Sequence, residues 1–499
     1  MNRAPSEPAA AGVVRRAWSL LLGASLCLAI VATLLGVGKA EAATRPLITG
    51  VTNTYTNEPL AFRRIRASGG RMVRVQLYWG AAAPRSRPAS WNPYNPSDPG
   101  YNWTESDEAV RNAVAAGLTP VLQVDGAPSW AQRCTVPHSL AGAICDPDPA
   151  DLRAFAHAAA ARYSGRFPGV PAVRYFQALN EPNLSLFFLP QFEVNGNLVS
   201  PYLYRELINA FYAGVKAASP NALVLLAGLG PIAVPKYTIG PIQFAKAMLC
   251  MTGSKRRPRP LPGDCGGGVS FDIFAIQPYT TGGPSHEGRP NDVQIGDLWK
   301  LQRLIRAADD ADRIKGAYRR TPLWITEFSW DSKPPDPGGL PMRIATRWVA
   351  EALHRAWSAG VTRFFWYTLR DGARHPGQSF SEALESGLYF RGATLAEDRP
   401  KPLERAFRFP FVAYPGRKLA VWGRTPNSRR GKVRIQVKSR RGWVTVRTLR
   451  ADRAGIFEGR ISTGYGRDHR GAARAVFAKQ RSPAFSMKPV PDFYHPPFG

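Results

Sequence analysis

Two glutamates stand where a carboxyl group can take part in catalysis. Glu181 lies in an Asn180-Glu181-Pro182 setting and Glu327 in an Ile325-Thr326-Glu327 setting, and each follows a short apolar run typical of a β-strand. If both strands belong to one barrel, their C-terminal ends meet at the same mouth. Two carboxyl groups facing each other there can cleave a glycosidic bond, one protonating the departing oxygen and the other attacking the anomeric carbon. We therefore predict Glu181 as the general acid/base and Glu327 as the nucleophile.

Other predicted strands carry side chains that can assist this pair. Arg74 on the second strand and Tyr279 at the end of the sixth offer a cation and a hydroxyl donor, which would keep Glu327 ionised. The negative charge of Glu327 should in turn raise the pKa of Glu181, which must begin protonated. Asn180 can hydrogen-bond the sugar hydroxyl next to the reacting carbon.

Four more residues are candidates for substrate contact. Trp366 on the eighth strand, with Trp79 and Trp130 at the ends of the second and third, offers an apolar face on which a pyranose ring can stack. Gln277, two positions before Tyr279, belongs to the same mouth.

An alternation of short apolar runs and longer amphipathic stretches extends from residue 47 to about 410. Eight runs have the composition of strands, beginning near Ile48, Met72, Thr119, Val173, Ala222, Phe271, Pro322 and Thr362. Eight βα units predict an α/β fold, a (β/α)8 TIM barrel over residues 44–410. A doubly wound open sheet is the alternative, but no glycine-rich phosphate loop follows an early strand to support it.

The pattern changes after Pro410. Short runs with a period of two, separated by Gly, Asn, Ser and Asp, predict a small all-β sandwich over residues 411–499. This segment is the most basic part of a chain of formal charge +30. Solvated faces of a strand-rich domain are the interpretation we favour, and contact with an anionic cell wall or an acidic glycan is the alternative. Without a nucleic-acid motif, we expect no nucleic acid. As an accessory domain, it should be removable without loss of the chemistry.

The first 43 residues have the pattern of a targeting segment. Arg15 and Arg16 precede an apolar run over 17–38, and Ala40-Glu41-Ala42 supplies a small-x-small cleavage site. The pattern predicts a signal peptide and a secreted protein. Because the apolar run is long enough to cross a bilayer, an uncleaved N-terminal anchor is the alternative.

Four cysteines beyond this segment fall into two sequence-local pairs. We predict disulfides Cys134–Cys145 and Cys250–Cys265, each closing a short loop in an oxidising compartment. A zinc site is the competing interpretation, which the spacing and the lack of nearby His pairs disfavour. We expect no metal and no cofactor.

The barrel and its two glutamate motifs resemble glycoside hydrolase clan A, especially the family 5 cellulase-like and family 39 xylosidase-like enzymes. The resemblance covers about residues 47–410 and implies a retaining mechanism through a covalent glycosyl intermediate, with carboxyl groups ~5 to 5.5 Å apart. One departure is visible, because many members carry histidine where this chain has Gln277. The resemblance implies hydrolysis of a polysaccharide or oligosaccharide. Transglycosylation, or glycan binding without catalysis, are the rival functions.

Overall fold

The computed structural model describes residues 45–52, 55–263, 267–375, 377–378, 383–462, 471–490 and 492. The predicted signal peptide or anchor, residues 1–43, lies outside the described residues. Of the helices within these ranges, none combines the length and apolar character that a bilayer crossing requires.

Eight parallel strands form the main sheet. They are β1 (Ile48–Thr52), β2 (Met72–Tyr78), β3 (Thr119–Asp125), β4 (Tyr175–Ala178), β5 (Leu223–Leu225), β6 (Phe274–Ile276), β7 (Leu323–Ile325) and β8 (Arg363–Tyr367). Their order is β6-β7-β8-β1-β2-β3-β4-β5. Parallel bridges from Leu225 to Ile273 and from Leu229 to Ile276 join the two ends. The sheet is therefore a barrel, as predicted, and the open-sheet alternative is wrong.

A helix follows each strand and covers the outside of the barrel. The helices are α1 (Pro59–Ala67), α2 (Thr104–Ala115), α3 (Pro149–Arg162), α4 (Ser200–Ala218), α5 (Pro241–Met248), α6 (Leu298–Asp310), α7 (Met342–Ser358) and α8 (Pro402–Arg408). Local chemistry sets several starts: proline occupies the first turn of five of these helices, where a missing N–H costs no helical hydrogen bond. At α3 the Asp148 carboxylate accepts the N–H groups of Ala150 at 2.7 Å and Asp151 at 3.2 Å.

The barrel interior changes character along its axis. Its lower part is filled by a buried apolar cluster comprising Met72, Val121, Leu223, Leu225, Ile273, Trp324 and Phe365. Further along the same inward-facing rows, Gln76, Gln123 and Gln177 lie side by side in register on β2, β3 and β4. Gln123 and Gln177 are buried, and buried polar groups need hydrogen-bond partners, so this change marks the start of a polar site at the mouth.

Antiparallel sheets follow the barrel and form the predicted β-sandwich. Their strands are β9 (Phe411–Tyr414), β10 (Leu419–Arg424), β11 (Gly431–Ser439), β12 (Gly442–Ala451), β13 (Ile456–Ile461), β14 (Ala472–Phe477), β15 (Gln480–Arg481) and β16 (Phe485–Ser486). One sheet has the order β9-β10-β13; the other has the order β12-β11-β14-β15, with β16 also paired to β14.

The sandwich packs closely on the barrel. The buried guanidinium of Arg424 donates to the carbonyl oxygens of Leu47 at 2.8 Å and Phe407 at 3.1 Å. The rings of Trp422 and Trp357 pack at a centroid distance of 5.6 Å. Contacts of this kind join the two parts into one compact unit over the described residues.

The predicted disulfide between Cys134 and Cys145 is present, in the segment between β3 and α3. Cys265 lies outside the described residues, so the pairing of Cys250 with Cys265 stays a prediction.

Candidate active site

The two predicted catalytic glutamates lie just beyond the C-terminal ends of β4 and β7. After β4 the backbone turns sharply, with Leu179 at φ 65° and Glu181 at φ 34°, both in the left-handed region that side-chain-bearing residues seldom adopt. The Glu181 N–H donates to the carbonyl oxygen of Gly228, 3.2 Å away, which ties this turn to the chain beyond β5. Backbone strain of this kind concentrates at functional sites, where surrounding contacts hold it.

Glu327 is held by one cation and one hydroxyl group. The Arg74 guanidinium forms an ion pair with Oε1 of Glu327, and the Tyr279 hydroxyl donates to Oε2 at 3.1 Å. The Arg74 side chain is 1% exposed and that of Glu327 is 12% exposed. Because both oxygens are engaged by donors, the orientation of this carboxylate is fixed.

Asn180 is oriented by two further donors. Its Oδ1 accepts from Arg74 Nη2 at 2.9 Å and from Gln277 Nε2 at 3.0 Å. Since both partners are donors, the amide oxygen is identified and the Asn180 NH2 group remains to donate to a sugar hydroxyl. Gln277 itself is fully buried, so its amide positions Asn180 and lines no sugar-binding surface.

The two glutamates differ in electrostatic environment. Burial raises the pKa of Glu181 well above its usual range, the negative charge of Glu327 raises it further, and Arg74 opposes both. The pKa of Tyr279 is also raised, first by burial and then by the charge of Glu327. A carboxyl group with a raised pKa therefore accompanies an ion-paired carboxylate, the difference that acid catalysis with a separate nucleophile requires.

Three residues of the site were missed in the sequence. Gln177 accepts Arg74 Nε at 2.7 Å and so completes the set of groups that hold this guanidinium. Desolvation raises the pKa of Asp125, at the end of β3, to about 6. Tyr367 ends β8 on the same inward face as Phe365 and lies near Tyr279. The sequence carried a signal for Gln177 and Asp125, because a polar residue inside an otherwise apolar strand must have a hydrogen-bond partner when it is buried.

The stacking role predicted for two tryptophans is wrong. Trp366 is 1% exposed, its indole N–H donates to the carbonyl oxygen of Ser386 at 2.8 Å, and it packs against Phe407 of α8. Trp79 is fully buried and stacks on Phe155 of α3. Side chains alternate along a strand, so Trp366 points outward where Phe365 and Tyr367 point inward.

The third tryptophan is only partly buried. Trp130 donates its indole N–H to the carbonyl oxygen of Pro84 at 2.8 Å, and the Arg87 guanidinium lies 5.4 Å from its ring centroid. Its contact with substrate stays a prediction. Within the described ranges, no group of three or more His, Cys, Asp and Glu side chains is arranged to hold a metal ion.

The barrel shares its fold with a solved glycoside hydrolase of family 39, so the resemblance seen in the sequence is confirmed for the fold. A family 39 glycoside hydrolase from Bacteroides cellulosilyticus WH2 superposes with a TM-score of 0.51 at 17% identity, over 84% of this chain and 80% of that chain. A glucosidase from Croceicoccus marinus gives 0.46 at 12% identity, over 87% and 94%. An endo-β-1,4-mannanase from Thermotoga petrophila gives 0.42 at 10% identity, over 89% and 97%. No protein-family model and no curated protein matches the sequence.

Proposed function

We propose that this protein is a retaining glycoside hydrolase that cleaves β-glycosidic bonds of an oligosaccharide or polysaccharide by double displacement. The observation that carries the proposal is the difference between the environments of the two carboxyl groups. Arg74 and Tyr279 hold the two carboxylate oxygens of Glu327, while burial and the charge of Glu327 raise the pKa of Glu181. The shared fold of the family 39 glycoside hydrolase supports the same assignment.

In the first step, Glu327 attacks the anomeric carbon as the bond to the leaving oxygen breaks. The Glu181 proton moves to that oxygen, so that the leaving sugar departs as a neutral alcohol. The product on the enzyme is a glycosyl ester of Glu327. Asn180, held through its Oδ1, donates from its NH2 group to the hydroxyl next to the reacting carbon.

In the second step, Glu181 is ionised and acts as the base. It takes a proton from water, the water oxygen attacks the anomeric carbon, and the bond to Glu327 breaks. Two inversions at one carbon leave its configuration unchanged. A sugar hydroxyl in place of water would give transglycosylation with the same residues.

Covalent trapping tests this proposal directly. The protein is incubated with 2,4-dinitrophenyl 2-deoxy-2-fluoro β-glycosides of glucose, xylose and mannose, whose glycosyl-enzyme intermediates hydrolyse slowly. We expect a mass increase of one fluoroglycosyl group, located by peptide mass spectrometry on Glu327. Label on another residue would overturn the assignment of the nucleophile.

Product stereochemistry supplies an independent check. Proton NMR of the first product released from an active β-glycoside should show the β-anomer before mutarotation. First release of the α-anomer would establish inversion, for which the carboxyl groups must be ~6.5 to 9.5 Å apart. No turnover across neutral, acidic and amino β-glycans would favour a glycan-binding protein without catalysis.

The sandwich supports a second part of the proposal, contact with an anionic wall polymer. Residues 411–499 contain 20 Lys and Arg against four Asp and Glu. Lys432, Arg434 and Lys438 are exposed on the same face of β11, and Lys438 is in register with Trp443 on β12. Among the described residues, none of these three side chains forms an ion pair with a carboxylate. Such a face attracts polyanions.

Co-sedimentation with insoluble anionic cell-wall material tests this contact. We expect replacement of Lys432, Arg434 and Lys438 by Gln to reduce the bound fraction strongly at low salt and to leave turnover of small glycosides unchanged. Unchanged sedimentation of the variant would contradict the wall contact. The Cys134–Cys145 disulfide supports the related proposal that the protein is exported, since such bonds persist in oxidising compartments.

A further inference from the structure

A second concave site opens beside the catalytic mouth, beyond the C-terminal ends of β7 and β8. It is a cleft of about 930 Å³, within the ~300 to 1,000 Å³ range of ligand sites. Its walls include Pro334, Pro335 and Pro400, together with the partly buried ring of Phe390. Most of the other lining residues have ionisable side chains, so the cleft combines an apolar wall with charged groups.

The rim of this cleft is cationic. Arg374, His375, Arg391 and Arg399 line it, and all four are exposed. Arg391 donates from Nη1 to the backbone oxygen of Asp371 at 3.0 Å. Neither Arg391 nor Arg399 forms an ion pair with a carboxylate of the described residues. Two guanidinium groups therefore retain their capacity for bidentate recognition of an anion.

The carboxyl groups of the cleft are buried and largely compensated. Asp371 is 2% exposed and forms an ion pair with Lys401, which is itself buried. Lys401 also donates to the backbone oxygen of Glu385 at 2.9 Å. Burial, and then the charge of Asp371, raises the pKa of Glu385 to about 7, so this group is substantially protonated at neutral pH. The accessible charge is therefore positive, although acidic residues also line the cleft.

A line of tyrosines connects the cleft with the catalytic pair. Tyr279 donates to Glu327, and Tyr367 lies next to Tyr279 at the mouth. Tyr55 is hydrogen-bonded to Tyr367 and lies within electrostatic reach of Arg391. Aromatic side chains along such a line suit the faces of successive sugar rings. A glycan bound at the catalytic pair can thus continue toward the cationic rim.

We propose that this arginine cleft is a subsite for an anionic sugar, and that it binds the carboxylate of a uronic acid residue away from the scissile bond. The inference deepens the proposed hydrolase function and rests on it for the path of the glycan. It names the substrate class, an acidic β-glycan, and two specificity-determining residues, Arg391 and Arg399. The wall contact of the sandwich involves a separate surface.

Binding of matched oligosaccharides tests the proposal. Glu181→Gln, which removes the acid without changing its size, is titrated calorimetrically at low salt with cellotetraose and with cellotetraose oxidised to the uronate at C6. Mannotetraose and tetramannuronate form a second pair that also differs only at C6. We expect the acidic member to bind roughly tenfold more tightly or better in at least one pair, as a charge-assisted contact provides. In the Arg391→Gln/Arg399→Gln background this preference should vanish.

Two controls remove charge elsewhere. Arg63→Gln/Arg343→Gln changes two exposed arginines on the outer helices α1 and α7, and the Lys432, Arg434 and Lys438 replacement changes the sandwich. Both should keep the preference for the acidic tetrasaccharide. If the double cleft variant unfolds, Arg399→Gln alone replaces it, because this residue is exposed and makes no described side-chain hydrogen bond.

The outcomes separate this inference from the catalytic proposal. Equal affinity within both pairs, or tighter binding of a glucosamine tetramer than of either acidic one, overturns the uronate subsite even if hydrolysis is observed. An acidic preference that survives in the cleft variant also overturns it. In a further outcome, binding prefers the acidic member and depends on Arg391 and Arg399, while the wild-type protein hydrolyses none of the glycans. That result would support the uronate subsite and refute the hydrolase proposal.

Discussion

Two carboxyl groups with raised pKa values compete for the role of acid in this site. Burial raises the pKa of Glu181 well above its usual range, and desolvation raises that of Asp125 to about 6. Asp125 already accepts the N–H of Gly126 at 3.0 Å, whereas Glu181 lies on the turn after β4, where the charge of Glu327 raises its pKa more than Arg74 lowers it. We predict that Glu181 is the acid. Glu181→Gln should therefore make the rate depend on the leaving group and respond to azide, whereas Asp125→Asn should do neither.

The expected size follows from the chemistry removed. General acid catalysis contributes ~10² to 10⁴ in rate, equivalent to about 2.7 to 5.4 kcal/mol at ~1.36 kcal/mol per factor of ten. Glu181→Gln should lose this factor in kcat/KM on an oligosaccharide, whose leaving alcohol needs a proton. On a 2,4-dinitrophenyl glycoside the leaving group needs none, so formation of the intermediate should survive. The intermediate should then accumulate, because the amide that replaces the Glu181 carboxylate cannot deprotonate water.

Azide rescue is the assay that distinguishes the two candidates. With Glu181→Gln, sodium azide should restore turnover of the dinitrophenyl glycoside and yield a β-glycosyl azide, since a small anion needs no base to attack. Asp125→Asn serves as the matched control. Any loss of activity in this variant should be the same for oligosaccharides and for the dinitrophenyl glycoside, and azide should give no β-glycosyl azide. If Asp125→Asn gave the β-azide while Glu181→Gln kept wild-type activity on oligosaccharides, the assignment of the acid would be refuted.

Three further measurements probe the same contacts. Tyr279→Phe removes a hydrogen bond to the charged Glu327, worth ~1.5 to 3 kcal/mol, so kcat/KM should fall roughly 10- to 100-fold without a change in circular dichroism; an effect below threefold would contradict the contact. Trp366→Ala should lower the free energy of unfolding by about 3 to 5 kcal/mol and leave KM for oligosaccharides within twofold, whereas a large rise in KM in folded protein would restore the stacking role. Glu181→Gln should also be more stable to urea than wild type at pH 8. The pKa of Glu181 in the folded protein lies above its unfolded value of ~4.3, so ionisation of this group lowers the stability of the wild type as pH rises. The difference in free energy of unfolding between variant and wild type should vanish below about pH 4. A difference that is the same at pH 4 and pH 8 would refute this linkage.

The strand-end residues could be predicted because barrel geometry makes them neighbours. A parallel barrel brings the residues after each strand to one mouth, so strand boundaries alone placed Glu181, Glu327 and Tyr279 together. Arg74 could be included because a charged residue inside a buried strand needs a partner. Its three partners were not all predictable, since Gln177 gives no sign in the sequence of which neighbouring strand it faces.

The direction of the β8 side chains could not be predicted. Residues 363–367 are Arg, Phe, Phe, Trp and Tyr, nearly continuous in apolar and aromatic character. A parallel strand buried on both faces lacks the polar alternation that fixes which residues point inward. The pairing of Thr52 with Tyr367 and Val51 with Trp366 settles the register, and the aromatic ring at the mouth is therefore that of Tyr367.

The packing of the sandwich on the barrel could not be predicted from the sequence pattern. The change of period near residue 410 indicates where the barrel ends, but patterning within a chain does not report how two parts are joined. Arg424 is 2% exposed and satisfies backbone oxygens of Leu47 and Phe407, and Trp422 packs on α7. Removal of residues 411–499 would leave those carbonyl groups and that apolar surface exposed, so a loss of turnover after truncation would report unfolding. Charge substitutions on the exposed face of β11 are therefore the sharper test of an accessory role, because they change the surface potential and leave the buried contacts intact.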